Sequence, residues 1–220
     1  MTKDKIVKSD RSRESEILDR NDVPEILASQ AYRELNAIHG VLGDKRFLIS
    51  ALRQDRFRVR RVLDVGCGRG DLLKDITASL GVEGIGIDLM PSLRSDPPLL
   101  KADATVDLLP SVDVAYSAYV AHHVSDENLV KMIHNVGRSC RRFILLDIVR
   151  HWIPLALFRL FISPFVSPIT AADGRISFRR AYAPSELKDV VQRALAGTGA
   201  SFRHSVSALG IRQVVDISYF

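Results

Sequence analysis

Cysteine is scarce in this chain of 220 residues. The two present, Cys67 and Cys140, lie far apart and show no metal-site spacing, so reduced thiols and no metal site are expected. Long hydrophobic runs are missing as well. A membrane-spanning helix needs roughly 18 or more apolar residues, and the nearest stretch, 152–169, carries Arg159 and three prolines. The opening MTKDKIVKSDRSRESE is too charged for a secretory leader, which leaves a cytoplasmic protein as the expectation. Repeats and low-complexity tracts are also lacking. The balance is basic, 31 Lys and Arg against 26 Asp and Glu. Much of the excess sits in RQDRFRVRR (53–61) and RSCRR (138–142), where Phe57 is the only interleaved aromatic. A nucleic-acid face wants basic and aromatic residues clustered together, so these stretches read as solvated strand entrances and no nucleic-acid partner is expected.

What is there is enough apolar residue, 46% of the chain, for one sizeable core. Residues 1–20 are polar and read as a loose tail. From Pro24 to Leu52 the apolar spacing is helical, with Gly40 and Gly43 as breaks into two helices. Strands and helices then alternate: strands at Val62–Val65, Gly84–Ile87, Leu99–Ala102, Val112–Ser117 and Phe143–Ile148, with helices at Asp71–Leu80 and Glu127–Val136. That rhythm predicts an α/β fold, a mostly parallel sheet with helices on both faces. Residues 151–184 interrupt it with an apolar, aromatic, proline-rich insertion. A helix from Pro184 to about Ala196 and two strands, Ser201–Ser207 and Gln213–Tyr219, close the chain, the strands joined as an antiparallel hairpin near Leu209-Gly210. The organisation expected is a tail (1–20) and one domain (21–220), made of a helical cap (21–55), a core (56–150), the insertion, and a C-terminal helix with a strand pair (185–220).

Open α/β sheets bind ligands at the carboxyl ends of their strands. There the first strand ends in Asp64 and the loop Gly66-Cys67-Gly68-Arg69-Gly70, the second in Asp88, the third is followed by Asp103-Ala104, and the fourth ends at Ser117-Ala118. Glycines let a backbone approach a ligand closely while turning into a helix. An acid closing the second strand suits the two hydroxyls of a ribose. A dinucleotide would want a third glycine where Asp71 stands. Asp64 and Asp71 would also repel its pyrophosphate, by about 4 kcal/mol for charges roughly 4 Å apart at an effective dielectric near 20. The site therefore suits a ligand with positive charge at the loop and a ribose beyond it, the order found in S-adenosylmethionine.

The runs VLDVGCGRGDL, GIGIDL, KADATVDLL and DVAYSAYVAHHVSDE resemble, in order and spacing over roughly residues 60–150, the successive motifs of class I S-adenosylmethionine-dependent methyltransferases, nearest to the quinone-biosynthesis group. The resemblance implies a Rossmann-like seven-stranded sheet with its last strand antiparallel. It implies Asp64, Gly66, Cys67 and Gly68 at the methionine end, Asp88 on the ribose, and Leu89 on the adenine. Asp103, with Ala104 beside it, would take the adenine amino group, and Ser117 and Ala118 would border the reactive methyl. More loosely, residues 1–55 and 150–185 are similar to small-molecule methyltransferases of bacterial secondary metabolism, in which such segments cover the acceptor.

Methyl transfer is a direct displacement, so the enzyme chiefly positions the acceptor and excludes water. A hydroxyl acceptor must also lose its proton. His122 and His123, after the fourth strand, are candidate bases, and His151, after the fifth, is another. Trp152, Phe158, Phe161 and Phe165 stand near helical spacing, as core packing, as a lid over an apolar acceptor, or as a face resting on a membrane. The expectation is methylation of a small apolar or aromatic acceptor, of phenolic or polyketide type, at oxygen. C-methylation of a quinone-like ring or lipid is the alternative. A non-catalytic cofactor-binding protein is the alternative of another class.

Overall fold

The computed structural model describes residues 11–20, 22–55, 57–91, 96–207 and 210–219. Two helices lead, α1 (Glu25–Leu42) and α2 (Asp44–Arg53). Gly43 alone separates them, in the left-handed conformation at φ 76°. Gly40, expected as a second break, stays inside α1, where a glycine costs only about 1 kcal/mol against alanine. The core follows as β1 (Arg61–Val65), α3 (Asp71–Leu80), β2 (Glu83–Asp88), β3 (Leu99–Lys101), β4 (Val114–Ala118), α4 (Asp126–Gly137) and β5 (Arg142–Ile148). The insertion folds as α5 (Trp152–Phe161) and α6 (Pro168–Arg180). The chain closes with α7 (Pro184–Leu195), β6 (Ser201–Val206) and β7 (Arg212–Ser218).

The seven strands form one sheet in the order β3-β2-β1-β4-β5-β7-β6, with β7 antiparallel to both neighbours and the other pairings parallel. Strand residues alternate between two cores. Leu63, Val65, Ala115, Phe143 and Leu145 meet Leu129, Met132 and Ile133 of α4 and Leu187, Val190 and Val191 of α7. Val62, Val114, Tyr116, Ile144 and Leu146 meet Leu48 and Leu52 of α2 and Leu73 and Ile76 of α3. A third, smaller cluster joins Phe158 of α5 to Ile148, Phe178 and Ala181. The basic stretches do lie at strand entrances: Arg142 pairs with Asp55 at 2.8 Å and with Asp216 at 2.8 Å, and Arg61 with Glu83 at 3.2 Å. Of the expected hairpin, Leu209 lies outside the described residues. Gly210, at φ 62°, turns the chain so that Ser207 donates to the Arg212 carbonyl at 2.9 Å.

One expectation needs correction. Residues 11–20 are no loose tail. Ile17 and Leu18 donate their backbone N–H groups to the two carboxylate oxygens of Asp173 on α6, at 2.7 and 3.0 Å. Arg11 donates to the Arg180 carbonyl at 2.8 Å and stacks over the Tyr182 ring at 3.5 Å. The stretch is polar because it docks through hydrogen bonds and not through an apolar face. Among the described residues, no helix is long and apolar enough to cross a membrane.

Candidate active site

β1 sits between β2 and β4, so the strand order reverses at its end, where a crevice opens in this kind of sheet. The glycine loop is folded back on β2. Gly66 and Cys67 donate to the Ile87 carbonyl at 2.8 and 3.1 Å, and Gly68 donates to Asp88 Oδ2 at 2.9 Å. Asp88 Oδ1 accepts from Met90 N at 2.8 Å, which holds the carboxylate at the strand end. Each oxygen keeps acceptor capacity for a ligand hydroxyl. Beyond it Leu89 stands 61% exposed, a bare apolar surface suited to a flat ring. Asp103 is braced by Thr105, whose N and Oγ1 donate to Oδ1 at 2.8 and 2.7 Å. The carbonyl of Ala104 accepts from Asn135 at 3.1 Å.

Asp64 is buried, and among the described residues its carboxylate accepts a hydrogen bond from Tyr116 Oη at 3.1 Å. Burial pushes its carboxyl up to about 7, the Tyr116 bond opposes the rise, and the charge of Asp88 adds to it. An acid left in this condition fits a cationic group arriving at the loop. It also has a measurable consequence without ligand. Its native pKa lies above the unfolded value near 3.9, so the native protein holds the extra proton between the two. Stability contributed by this group falls as pH rises from about 4 to about 7 and is flat above. Relative to Asp64→Asn, the native protein should therefore lose stability between pH 5 and pH 8 in denaturant titrations. A pH-independent difference between the two would rule this out.

The thiol of Cys67 in the loop is pushed up, by burial first and then by Asp64 and Asp88. Ser117 is buried, and its hydroxyl donates to the Val65 carbonyl at 3.0 Å, tying β4 to β1. Ala118 ends β4, half-buried. Two residues that pattern reasoning missed come next. Val120 packs on Gly66, and Tyr119 takes the left-handed conformation at φ 63°, rare for a bulky residue and a mark of strain near functional sites. Tyr119 is held there by a 2.5 Å hydrogen bond to Asp44, a buried carboxylate that also takes Arg212 at 2.6 Å. Tyr32 of α1 was missed too. Arg69 of the loop lies over its ring at 4.6 Å, which brings the leading helices against the crevice.

On the other side of Tyr119 lies a cavity of about 440 Å³. Leu35 and Ile38 of α1, Leu157 and Phe158 of α5 and Phe178 of α6 give it apolar walls, and Glu16, His122 and His123 form a polar end. Phe158 is buried, whereas Trp152, Phe161 and Phe165 are 56%, 66% and 83% exposed, so the aromatic stretch is only partly core. His151 does not line the cavity. It caps α5, with Nδ1 accepting from Ile153 N at 3.3 Å, which is a position correction for that candidate base. His122 Nδ1 lies 2.7 Å from Asp147 Oδ1 and Nε2 lies 3.5 Å from Glu16 Oε1. Burial alone would lower its pKa, but Asp147 and Glu16 outweigh burial and push it up to about 9. A charged imidazolium accepts no proton, so His122 in this state is not the ready neutral base that its sequence position suggested. His123 is half-buried, with Nδ1 3.3 Å from Asp19 and Nε2 3.8 Å from Glu16. The one sequence signal for this arrangement was an acid inside an apolar strand, Asp147 in FILLDIV.

With this geometry in view, residues 63–144 match the family described as Methyltransferase domain. Sequence comparison with curated proteins finds no match. Among solved structures, the chain is similar to the plantazolicin methyltransferase BpumL in complex with SAH (S-adenosylhomocysteine), with a TM-score of 0.69 and 12% identity over 92% of this chain and 93% of that one. The methyltransferase domain of bacterial CtHen1-C aligns with a TM-score of 0.59 and 13% identity over 80% of this chain and 96% of that one. The mitomycin 7-O-methyltransferase MmcR aligns with a TM-score of 0.56 and 16% identity over 88% of this chain and 58% of that one. Residues 63–144, which hold the glycine loop, thus match a methyltransferase domain, and the fold is shared with solved methyltransferases, one of them in complex with SAH, the product of S-adenosylmethionine. The residues at the crevice fit that cofactor: a buried acid awaiting a cation, a carboxylate with free acceptor capacity, and an exposed leucine beside it.

Proposed function

We propose that this protein transfers a methyl group from S-adenosylmethionine to a hydroxyl oxygen of a small apolar or aromatic acceptor held in the cavity between α1, α5 and α6. The observation that carries the reading is the cavity itself. Its walls are mostly apolar, Glu16, His122 and His123 group at one end with Ser177 beside them, and it starts at Tyr119, next to the residue that touches the glycine loop. An acceptor lying along the walls presents one polar atom to that end, at the side of β4 where the methyl emerges. In this reading Asp64 and the Gly66–Gly70 loop take the methionine end, Asp88 the ribose, and Leu89, Asp103 and Ala104 the adenine.

The test is mass spectrometry of reactions with alkyl-substituted phenols and with quinones, followed by NMR of any product. Methyl ethers support the reading, and methyl on ring carbon would replace it with the C-methylation alternative. Binding of S-adenosylhomocysteine with no methylation of any ring compound would favour the non-catalytic alternative. A variant separates the cavity from the crevice. A Cβ on Gly174 of α6 would lie 2.2 Å from Phe158 Cζ, so Gly174→Ala forces that cavity-lining ring to shift. The expected result is a raised KM for the acceptor, on the order of tenfold for about 1.4 kcal/mol of lost fit, with S-adenosylhomocysteine affinity unchanged. An unchanged KM would place the acceptor elsewhere.

A further inference from the structure

Three carboxylates converge on two neighbouring imidazoles at the polar end of the cavity. His122 Nδ1 faces Asp147 Oδ1 at 2.7 Å, and His123 Nδ1 faces Asp19 Oδ2 at 3.3 Å. A carboxylate can only accept, so each pair keeps a ring proton on Nδ1, and a metal ion would take the Nε2 lone pair by displacing any proton held there. This is the arrangement that orients metal-binding histidines through an outer carboxylate. Both Nε2 atoms look toward one oxygen, Glu16 Oε1, at 3.5 and 3.8 Å, and the three ligand atoms lie within 4.8 Å of one another. Ligands of a four-coordinate divalent ion, at metal–ligand distances of about 2.0–2.1 Å, stand roughly 3.3 Å apart, so small side-chain adjustments close the set.

Charge supports the same conclusion. Among the described residues, only Asp19 of the three carboxylates pairs with a guanidinium, Arg180 at 3.1 Å. Glu16 and Asp147, both buried, have the histidines as their ionisable partners. Buried carboxylates need compensation by a cation or a proton. Glu16 is brought here from the start of the chain and is fixed by a 2.7 Å hydrogen bond from Ser177, so the cluster is built from three separate segments.

We propose that Glu16, His122 and His123 bind one divalent transition-metal cation of the zinc class, with its open side toward the acceptor cavity. Two imidazoles and one carboxylate suit such borderline ions better than calcium or magnesium. The site's use rests on the methylation reading: an acceptor hydroxyl completing the coordination would become more acidic, as metal-held water does. Its proton then leaves to solvent, the oxygen–methyl bond forms as the sulfur–methyl bond breaks, and the products are the methyl ether, S-adenosylhomocysteine and a proton.

The existence of the site is tested without catalysis. The full-length protein, stripped with chelator, is titrated with Zn²⁺ by calorimetry and with Co²⁺ by visible absorption. One ion per chain is expected, with ligand-field bands for cobalt, and at least a tenfold loss of affinity in Glu16→Gln and in His123→Gln. S-adenosylhomocysteine binding by each variant reports that the fold persists. No stoichiometric ion, or affinity indifferent to both substitutions, would overturn the proposal. Metal binding without methyl transfer to any ring acceptor would instead overturn the methylation reading, and methylation at full rate in the stripped protein would remove the metal from the reaction.

Discussion

Alanine in place of Asp88 should weaken S-adenosylhomocysteine binding by about 10²–10⁴-fold. Two hydrogen bonds from ribose hydroxyls to a charged acceptor are worth roughly 1.5–3 kcal/mol each, and every 1.4 kcal/mol is a factor of ten. The structure adds a second reason. Asp88 also anchors the glycine loop through Gly68 N at 2.9 Å and its own strand end through Met90 N at 2.8 Å, so alanine loosens the cradle as well as removing the acceptor. Calorimetry measures the affinity, and circular dichroism checks that the sheet remains. An unchanged dissociation constant would take Asp88 out of the site. Tighter binding of NAD than of S-adenosylhomocysteine by the native protein would overturn the assignment of the cofactor.

Gly66→Ala should lower the unfolding free energy by about 2–5 kcal/mol. A side chain in the left-handed region costs roughly 1–2 kcal/mol, and overpacking costs about 1–3 kcal/mol. Gly66 has φ 75°, and a Cβ there would lie 2.2 Å from Val120 Cγ2. For a chain of this size the midpoint of thermal unfolding would drop by roughly 5–15 °C. From sequence alone, a bulky residue at this position would harm only ligand approach and spare the fold. The contact with Val120 changes that expectation. Val120→Ala, combined with Gly66→Ala, should restore the overpacking part and leave the backbone strain, a coupling that a double-mutant cycle measures. Strictly additive effects would show that the two residues do not meet.

The glycine loop and the strand ends beside it were legible from the residues because their parts are local. β1 stops where glycines begin, α3 starts at Asp71, and β2 carries Asp88 at its end, all within one turn of chain direction each. The cavity beyond β4 was not. Ser117 reads as a polar strand end until its hydroxyl is seen on Val65, and His151 reads as a base until it is seen capping α5. A side chain's partner is decided by what folds against it, and period and spacing carry no record of that.

Residue order alone determined the alternating elements, the two-faced hydrophobic pattern of the strands and the glycine–acid pairing of a nucleotide crevice. These follow from the strand period of two, the helix period of 3.6 and the steric freedom of glycine, which act over a few residues. Tertiary structure alone decided what stands at the polar end of the cavity. Glu16 and Asp19 have no apolar periodicity around them, yet they reach His122 and His123 because Asp173, far along the chain on α6, takes the backbone of Ile17 and Leu18 in both carboxylate oxygens. Hydrogen bonds between single residues so distant in sequence leave no repeating pattern, and only the packed chain brings them together.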